Sequence, residues 1–342
     1  MPADLTAGIE FNQDKLEDNM WGYHRTVDQK VNIGSAFFQN EWKNEHWGFL
    51  IGGRLDKHNL IDHVIFSPRA NLRYNPTENI NLRFSYSSGF RAPQAFDEDL
   101  HVENVGGNVA MVELADNLKE ERSQSLSASA DIYHRFGAFQ VNFLVEGFYT
   151  KLSDVFALTD GEIVDGILTR TRYNAPGARV MGLTLEGKMA YLTKFQLQAG
   201  ITLQQSHYSE PHVWNPDAPA VKKMMRTPNT YGYFTATYTP IKPLSIALSG
   251  TYTGSMLVPH EPVPGFLEKP ITVNTKDFFD IGLKAAYDFK LYKSMNLQVN
   301  AGVQNIFNAY QNDFDKGADR DSGYIYGPSL PRSFFAGVKI SY

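Results

Sequence analysis

Four carboxylates stand at alternate positions around a glycine in Asp313-Phe314-Asp315-Lys316-Gly317-Ala318-Asp319-Arg320-Asp321. Hard cations take oxygen ligands from turns of this kind, so Asp313, Asp315, Asp319 and Asp321 are candidate ligands of a structural calcium ion. The segment lacks the spacing and bidentate glutamate of an EF-hand, and Lys316 and Arg320 are placed to neutralise the same carboxylates. A second group suits recognition of a small ligand. Residues 89–118 carry Arg91, Asp97, Glu98, Asp99 and His101; Tyr324 and Tyr326 follow the carboxylate segment, and His260 lies in another polar stretch. Arg91, Asp99, His101, His260, Tyr324 and Tyr326 are therefore candidate ligand contacts, although loops packed on their neighbours would have the same composition. Catalysis finds no support: there is no Gly-x-Ser-x-Gly, no His-Glu-x-x-His and no phosphate loop. With no cysteine, thiol chemistry and disulfides are excluded. The chain is read as a non-enzyme, with calcium its one candidate cofactor.

These residues fall in loops, and the segments between them share one pattern. The net charge of −5 gives no broad basic surface, so nucleic acid is not an expected partner. No apolar run is long enough for a membrane helix, yet strands of a membrane barrel alternate and dilute their own hydropathy. Ile80, Leu82, Phe84 and Tyr86 alternate with Asn81, Arg83, Ser85 and Ser87; Leu197, Ala199, Ile201 and Leu203 alternate with Gln196, Gln198, Thr202 and Gln204. The same period of two runs from residues 5–11 to the last segment, 333–342, and predicts about fourteen strands. Their connections alternate: polar stretches over 12–30, 56–65, 89–118, 153–178, 208–228, 255–275 and 310–330 alternate with tight turns. An up-and-down barrel with turns at one end and loops at the other has this rhythm. Trp42, Tyr74, Tyr191, Tyr238, Tyr287 and Tyr342 each close an apolar stripe at the short-turn end, as a membrane-interface girdle would. Met1 to Leu5 offers no charged segment followed by an apolar core, so no signal peptide is expected.

Several strings resemble the motifs of TonB-dependent outer-membrane receptors. Gly89-Phe90-Arg91-Ala92-Pro93 is similar to that family's Gly-Phe-Arg-Ala-Pro. Leu118-Lys119-Glu120-Glu121-Arg122-Ser123 resembles Leu-Lys-Pro-Glu-x-Ser, with Glu120 in place of proline. Asn174 to Glu186 resembles its Asn-x-Gly…Gly-x-Glu-x-Glu stretch, Gly302 to Asn308 its Gly-x-x-Asn-Leu-Phe-Asp, and Pro331-Arg332 its Pro-Gly-Arg. Gly337-x-x-Ile340-x-Tyr342 resembles the C-terminal signal read by the barrel-assembly machinery.

The resemblance implies an all-β fold, a transmembrane antiparallel up-and-down β-barrel in the bacterial outer membrane. Residues 1–342 would be the C-terminal part of a barrel of roughly 22 strands, without a plug domain. The implied activity is TonB-energised uptake of a scarce nutrient complex: a ferric siderophore, haem or cobalamin. Implied partners are outer-membrane lipid, the barrel-assembly machinery, a metal chelate or similar small ligand, and TonB–ExbB–ExbD acting through a plug. The alternative expectation is a passive channel formed by self-closure of these strands.

Overall fold

The computed structural model describes residues 1–342 except 22–24, 94–109, 160, 165–166, 293 and 319. The strands, in chain order, are β1 (Ala3–Met20), β2 (Arg25–Lys43), β3 (Trp47–His58), β4 (Ile65–Thr77), β5 (Ile80–Arg91), β6 (Ala110–Leu114), β7 (Glu121–Phe136), β8 (Phe139–Ser153), β9 (Val155–Leu158), β10 (Glu162–Val164), β11 (Ile167–Ala175), β12 (Ala178–Tyr191) and β13 (Phe195–His212). They continue as β14 (Val221–Lys223), β15 (Thr230–Ile241), β16 (Leu244–Thr253), β17 (Leu257–His260), β18 (Ile271–Asn274), β19 (Phe278–Lys290), β20 (Asn296–Gln304) and β21 (Ser333–Ser341).

Fourteen of them form one antiparallel wall in strict chain order, β1-β2-β3-β4-β5-β7-β8-β12-β13-β15-β16-β19-β20-β21, with β14 as a flap on β13. The wall is open: among the described residues β1 is paired only with β2, and β21 only with β20. The strands form where period-two alternation gives each one a wet and a dry face. Register then lines the dry faces up: Phe84 lies opposite Ala128, Ala128 opposite Gly147, and Gly147 opposite Leu183. The dry face is uncovered, with Ile9, Phe84, Leu126, Phe143, Leu283 and Val338 all exposed. Hydrocarbon is the solvent that makes such a surface stable.

Several expected loops prove to carry strands. Residues 12–30 continue β1 and β2 as a projecting hairpin, paired up to Met20 opposite Arg25. Apolar alternation stops there, but cross-strand polar pairs replace it: Gln13 Nε2 donates to Asn32 at 2.7 Å, and Thr26 Oγ1 donates to Asn19 at 2.9 Å. The 153–178 stretch extends the β8–β12 hairpin as β9, β10 and β11, and β6 from the neighbouring loop joins β11 in parallel. β17 and β18 pair within the 255–275 stretch. Buried side chains gather at this loop end, where Met256, Val258 and Tyr324 form a small apolar core.

The six girdle aromatics stand at the other end. Trp42 faces Phe49, Trp47 faces Tyr74, Tyr191 faces Phe139, and Phe195 faces Tyr238. Trp47 stacks on Tyr74 at 4.2 Å, and Tyr287 lies 4.6 Å from Phe289. Tyr342 follows β21 at the chain end. Trp47, Phe49, Phe139 and Phe289 extend the ring beyond the sequence-based set.

Candidate functional site

The loop end holds two built clusters. The first joins the 213–229, 254–277 and 305–332 loops. Its anchor is Asn305, buried and left-handed (φ 50°), at the end of β20. The Asn305 side chain accepts from the Ala309 amide and donates to the Ala309 and Leu330 carbonyls. Asn308, also left-handed, accepts from the Arg332 amide at 2.9 Å. Asparagine tolerates that backbone region, and its amide closes the loop across its neck.

Within the loop, Gln311 is buried and fully used: Nε2 donates to the Tyr324 carbonyl, and Oε1 accepts from the Tyr326 and Gly327 amides. Tyr324 stacks flat on His260, centroids 3.8 Å apart. The Tyr326 hydroxyl lies 2.7 Å from both Asp313 oxygens. His260 Nε2 lies 2.9 Å from Asp315, and both side chains are buried. Asp321 accepts from the Glu261 and Gly323 amides, and Arg226 donates to the Gly323 and Ile325 carbonyls. Burial, with the Asp313 carboxylate against its hydroxyl, pushes the Tyr326 phenol far above the ordinary tyrosine value. Burial also raises Tyr324.

The structure therefore unites Asp313, Asp315, Asp321, His260, Tyr324 and Tyr326, drawn from two sequence-predicted groups. They are spent largely on one another. Asp313 is engaged by Tyr326, Asp315 by His260 and the Asp321 amide, and Asp321 by backbone amides. Asp319, the fourth proposed calcium ligand, lies outside the described residues. Among the described residues no group of three or more His, Asp or Glu side chains converges on a metal position.

The second cluster sits over β5–β12. Glu120 is buried; its Oε1 takes Arg122 Nε at 2.8 Å and His63 Nε2 at 3.0 Å. Burial works to raise the Glu120 carboxyl, but its own backbone amide, His63 and Arg122 overcome this and hold it below the ordinary glutamate value. Next to it, Asn174 exchanges a hydrogen-bond pair with the backbone of Lys119 and donates to the Asp154 carbonyl. Glu121 accepts from the Phe156 amide, and the Arg91 guanidinium lies 5.4 Å above the Phe156 ring. Gly177 completes the neck: a Cβ there would come within 2.0 Å of the Leu152 carbonyl oxygen. Arg91 is thus placed beside this cluster, away from His260. Asp99 and His101 lie outside the described residues.

Below the loops, the wet face of the wall is a hydrogen-bonded lattice. Tyr233 donates to Glu186 at 2.6 Å, Lys188 pairs with Glu186 at 2.9 Å, and Gln198 reaches Tyr233 at 2.8 Å. At one end of the wall Arg54 bridges Glu10 and Asp56, and Ser35 donates to Asp56. Sequence reasoning identified this face as polar but not its specific partners, which register alone determines.

The "TonB dependent receptor-like, beta-barrel" family model matches residues 2–306. No match was found among curated protein sequences. Among solved structures the chain resembles the siderophore receptor PirA from Acinetobacter baumannii, with a TM-score of 0.72 and 16% identity over 100% of this chain and 52% of that one. It also resembles the FrpB iron transporter from Neisseria meningitidis (TM-score 0.65, 16% identity, 98% of this chain and 52% of that one). A third is the ferric-catecholate import receptor Fiu from E. coli (TM-score 0.67, 15% identity, 98% and 51%). The chain spans about half the length of each of these structures.

Proposed function

The chain belongs to the TonB-dependent receptor β-barrel family, and from that premise we propose that it forms wall and loops of an outer-membrane receptor importing an iron chelate. The observation that carries this reading is the asymmetry of the wall: dry on one face, hydrogen-bonded on the other, with the described parts of the long loops gathered at one end. A ferric siderophore is favoured over haem or cobalamin because siderophore and ferric-catecholate receptors are among the structures this wall resembles. Ligand capture falls to the loop layer, whose 213–229, 254–277 and 305–332 loops are held together by the packed His260, Tyr324 and Tyr326. Energy enters from TonB–ExbB–ExbD through a plug seated against that face, and β21 carries the signal for the barrel-assembly machinery.

Uptake of radiolabelled iron by the producing cell, supplied as hydroxamate, catecholate or haem, tests this. Deleting the reading frame removes accumulation of one siderophore class, and inactivating TonB has the same effect. Unchanged uptake of all three overturns the iron reading. The free edges of β1 and β21 count against a self-closed channel. These 342 residues in planar bilayers should give no steady conductance, whereas a stable pore would favour the passive-channel alternative.

A further inference from the structure

The dry face of the wall is interrupted by a groove of about 900 Å³ across β7, β8, β12 and β13. Its floor is made of small residues: Ala128 and Gly147 lie directly opposite each other, and a Cβ added at Gly147 would meet nothing within 4 Å. Phe84, Leu126, Tyr149 and Leu183 stand around it. Two residues nearer the loops, about 7 Å along the strands, the same face turns basic. Lys151 lies opposite Arg179, Arg179 opposite His207, and His207 opposite Lys223 of the β14 flap. At the usual interstrand spacing the row is roughly 14 Å long.

Some cations elsewhere on the wall have an acidic partner. Lys15 has Glu17, Lys43 has Asp4 and Glu41, Arg54 has Glu10 and Asp56, and Lys188 has Glu186. Among the described residues, Lys151, Arg179 and Lys223 have no ion pair or hydrogen bond. Like charges side by side on adjacent strands repel, and an anion on the row removes that cost. In a wall that spans a bilayer, the groove faces hydrocarbon and the row stands at headgroup depth on the loop side.

We propose that the Lys151–Arg179–His207–Lys223 row and the groove beneath it bind one phosphorylated lipid of the loop-side leaflet. The phosphate sits on the row, and an acyl chain lies along the Ala128–Gly147 floor. The proposal rests on the outer-membrane reading above. The test uses receptor extracted from its own membrane in mild detergent, with bound lipid counted by native mass spectrometry. The probes are a diphosphorylated, acylated glucosamine disaccharide and the same lipid after phosphatase treatment. Wild type retains the phosphorylated probe, and the triple variant Lys151→Ala, Arg179→Ala, Lys223→Ala retains it about tenfold less well or worse. Gly147→Leu, which fills the groove without touching the charges, also weakens retention. Equal retention by the triple variant, or equal binding of the dephosphorylated probe, overturns the proposal while leaving the receptor reading intact. Absence of the wild-type chain from the outer-membrane fraction overturns the receptor reading, and the proposal with it.

Discussion

The two loop clusters do the same mechanical job with opposite chemistry. Over β5–β12, a buried carboxylate is held ionised between Arg122 and His63, and Asn174 ties the adjoining backbone. Over β13–β21, an amide and aromatic rings carry much of the load: the Gln311 amide, the stacked rings of His260 and Tyr324, and a tyrosine hydroxyl on Asp313. The first is a charged pin at the mouth of one hairpin. The second is a packed clasp joining three loops. A pin fails when its charge is removed, whereas a clasp fails when a shared member is cut out.

That contrast can be broken most forcefully at Gln311. Gln311→Ala orphans three backbone groups at once, so the 305–332 loop should lose about 3 kcal/mol of protection, read by hydrogen exchange of its amides. The 110–120 segment should be untouched, and a loss spread over both clusters would show that they are one unit. Glu120→Ala should cost the pin about 2 kcal/mol, with Glu120→Gln recovering part, measured in the same way.

Titration sharpens the contrast, because the signs oppose. The Glu120 carboxyl is held low, so the stability it gives is complete above the ordinary glutamate value and lost as pH falls through its lower folded value. The Tyr326 phenol is held high, so its contribution is complete below about pH 10 and lost as pH rises toward the folded value. Limited proteolysis should cut the first region in acid and the second in alkali; cleavage in the reverse order would refute the assignment. The smallest effect is expected from calcium. With Asp313, Asp315 and Asp321 already engaged, added calcium should leave thermal stability unchanged in both wild type and Asp313→Ala. A calcium-dependent rise in wild type alone would show that the loop re-forms around the ion.

The wall was legible from sequence because period two is a local property: the alternation through 80–87 and 196–204 needs no knowledge of neighbours. The motif strings were legible too, and the structure gives them a physical role. Glu120, Asn174, Gly177 and Asn305 each sit where a loop is tied to the wall. The 12–30 hairpin was missed because polar pairing across strands leaves no apolar rhythm. Gln311 was missed because an isolated loop glutamine has no signature until its three partners are in place. His260, Tyr324 and Tyr326 were picked out by residue type, but only the fold shows them packed together. The basic row was hidden for another reason: Lys151, Arg179, His207 and Lys223 are far apart in the chain and become neighbours only through four strands in register.

Every strand of the wall pairs with the strand nearest to it in sequence, and none reaches past a neighbour. Each hairpin is therefore a self-contained tile. Inserting or deleting one changes the circumference of such a wall but leaves the other wall pairings in place, so pore width in this architecture can evolve in whole-hairpin steps without redesign of the remaining wall.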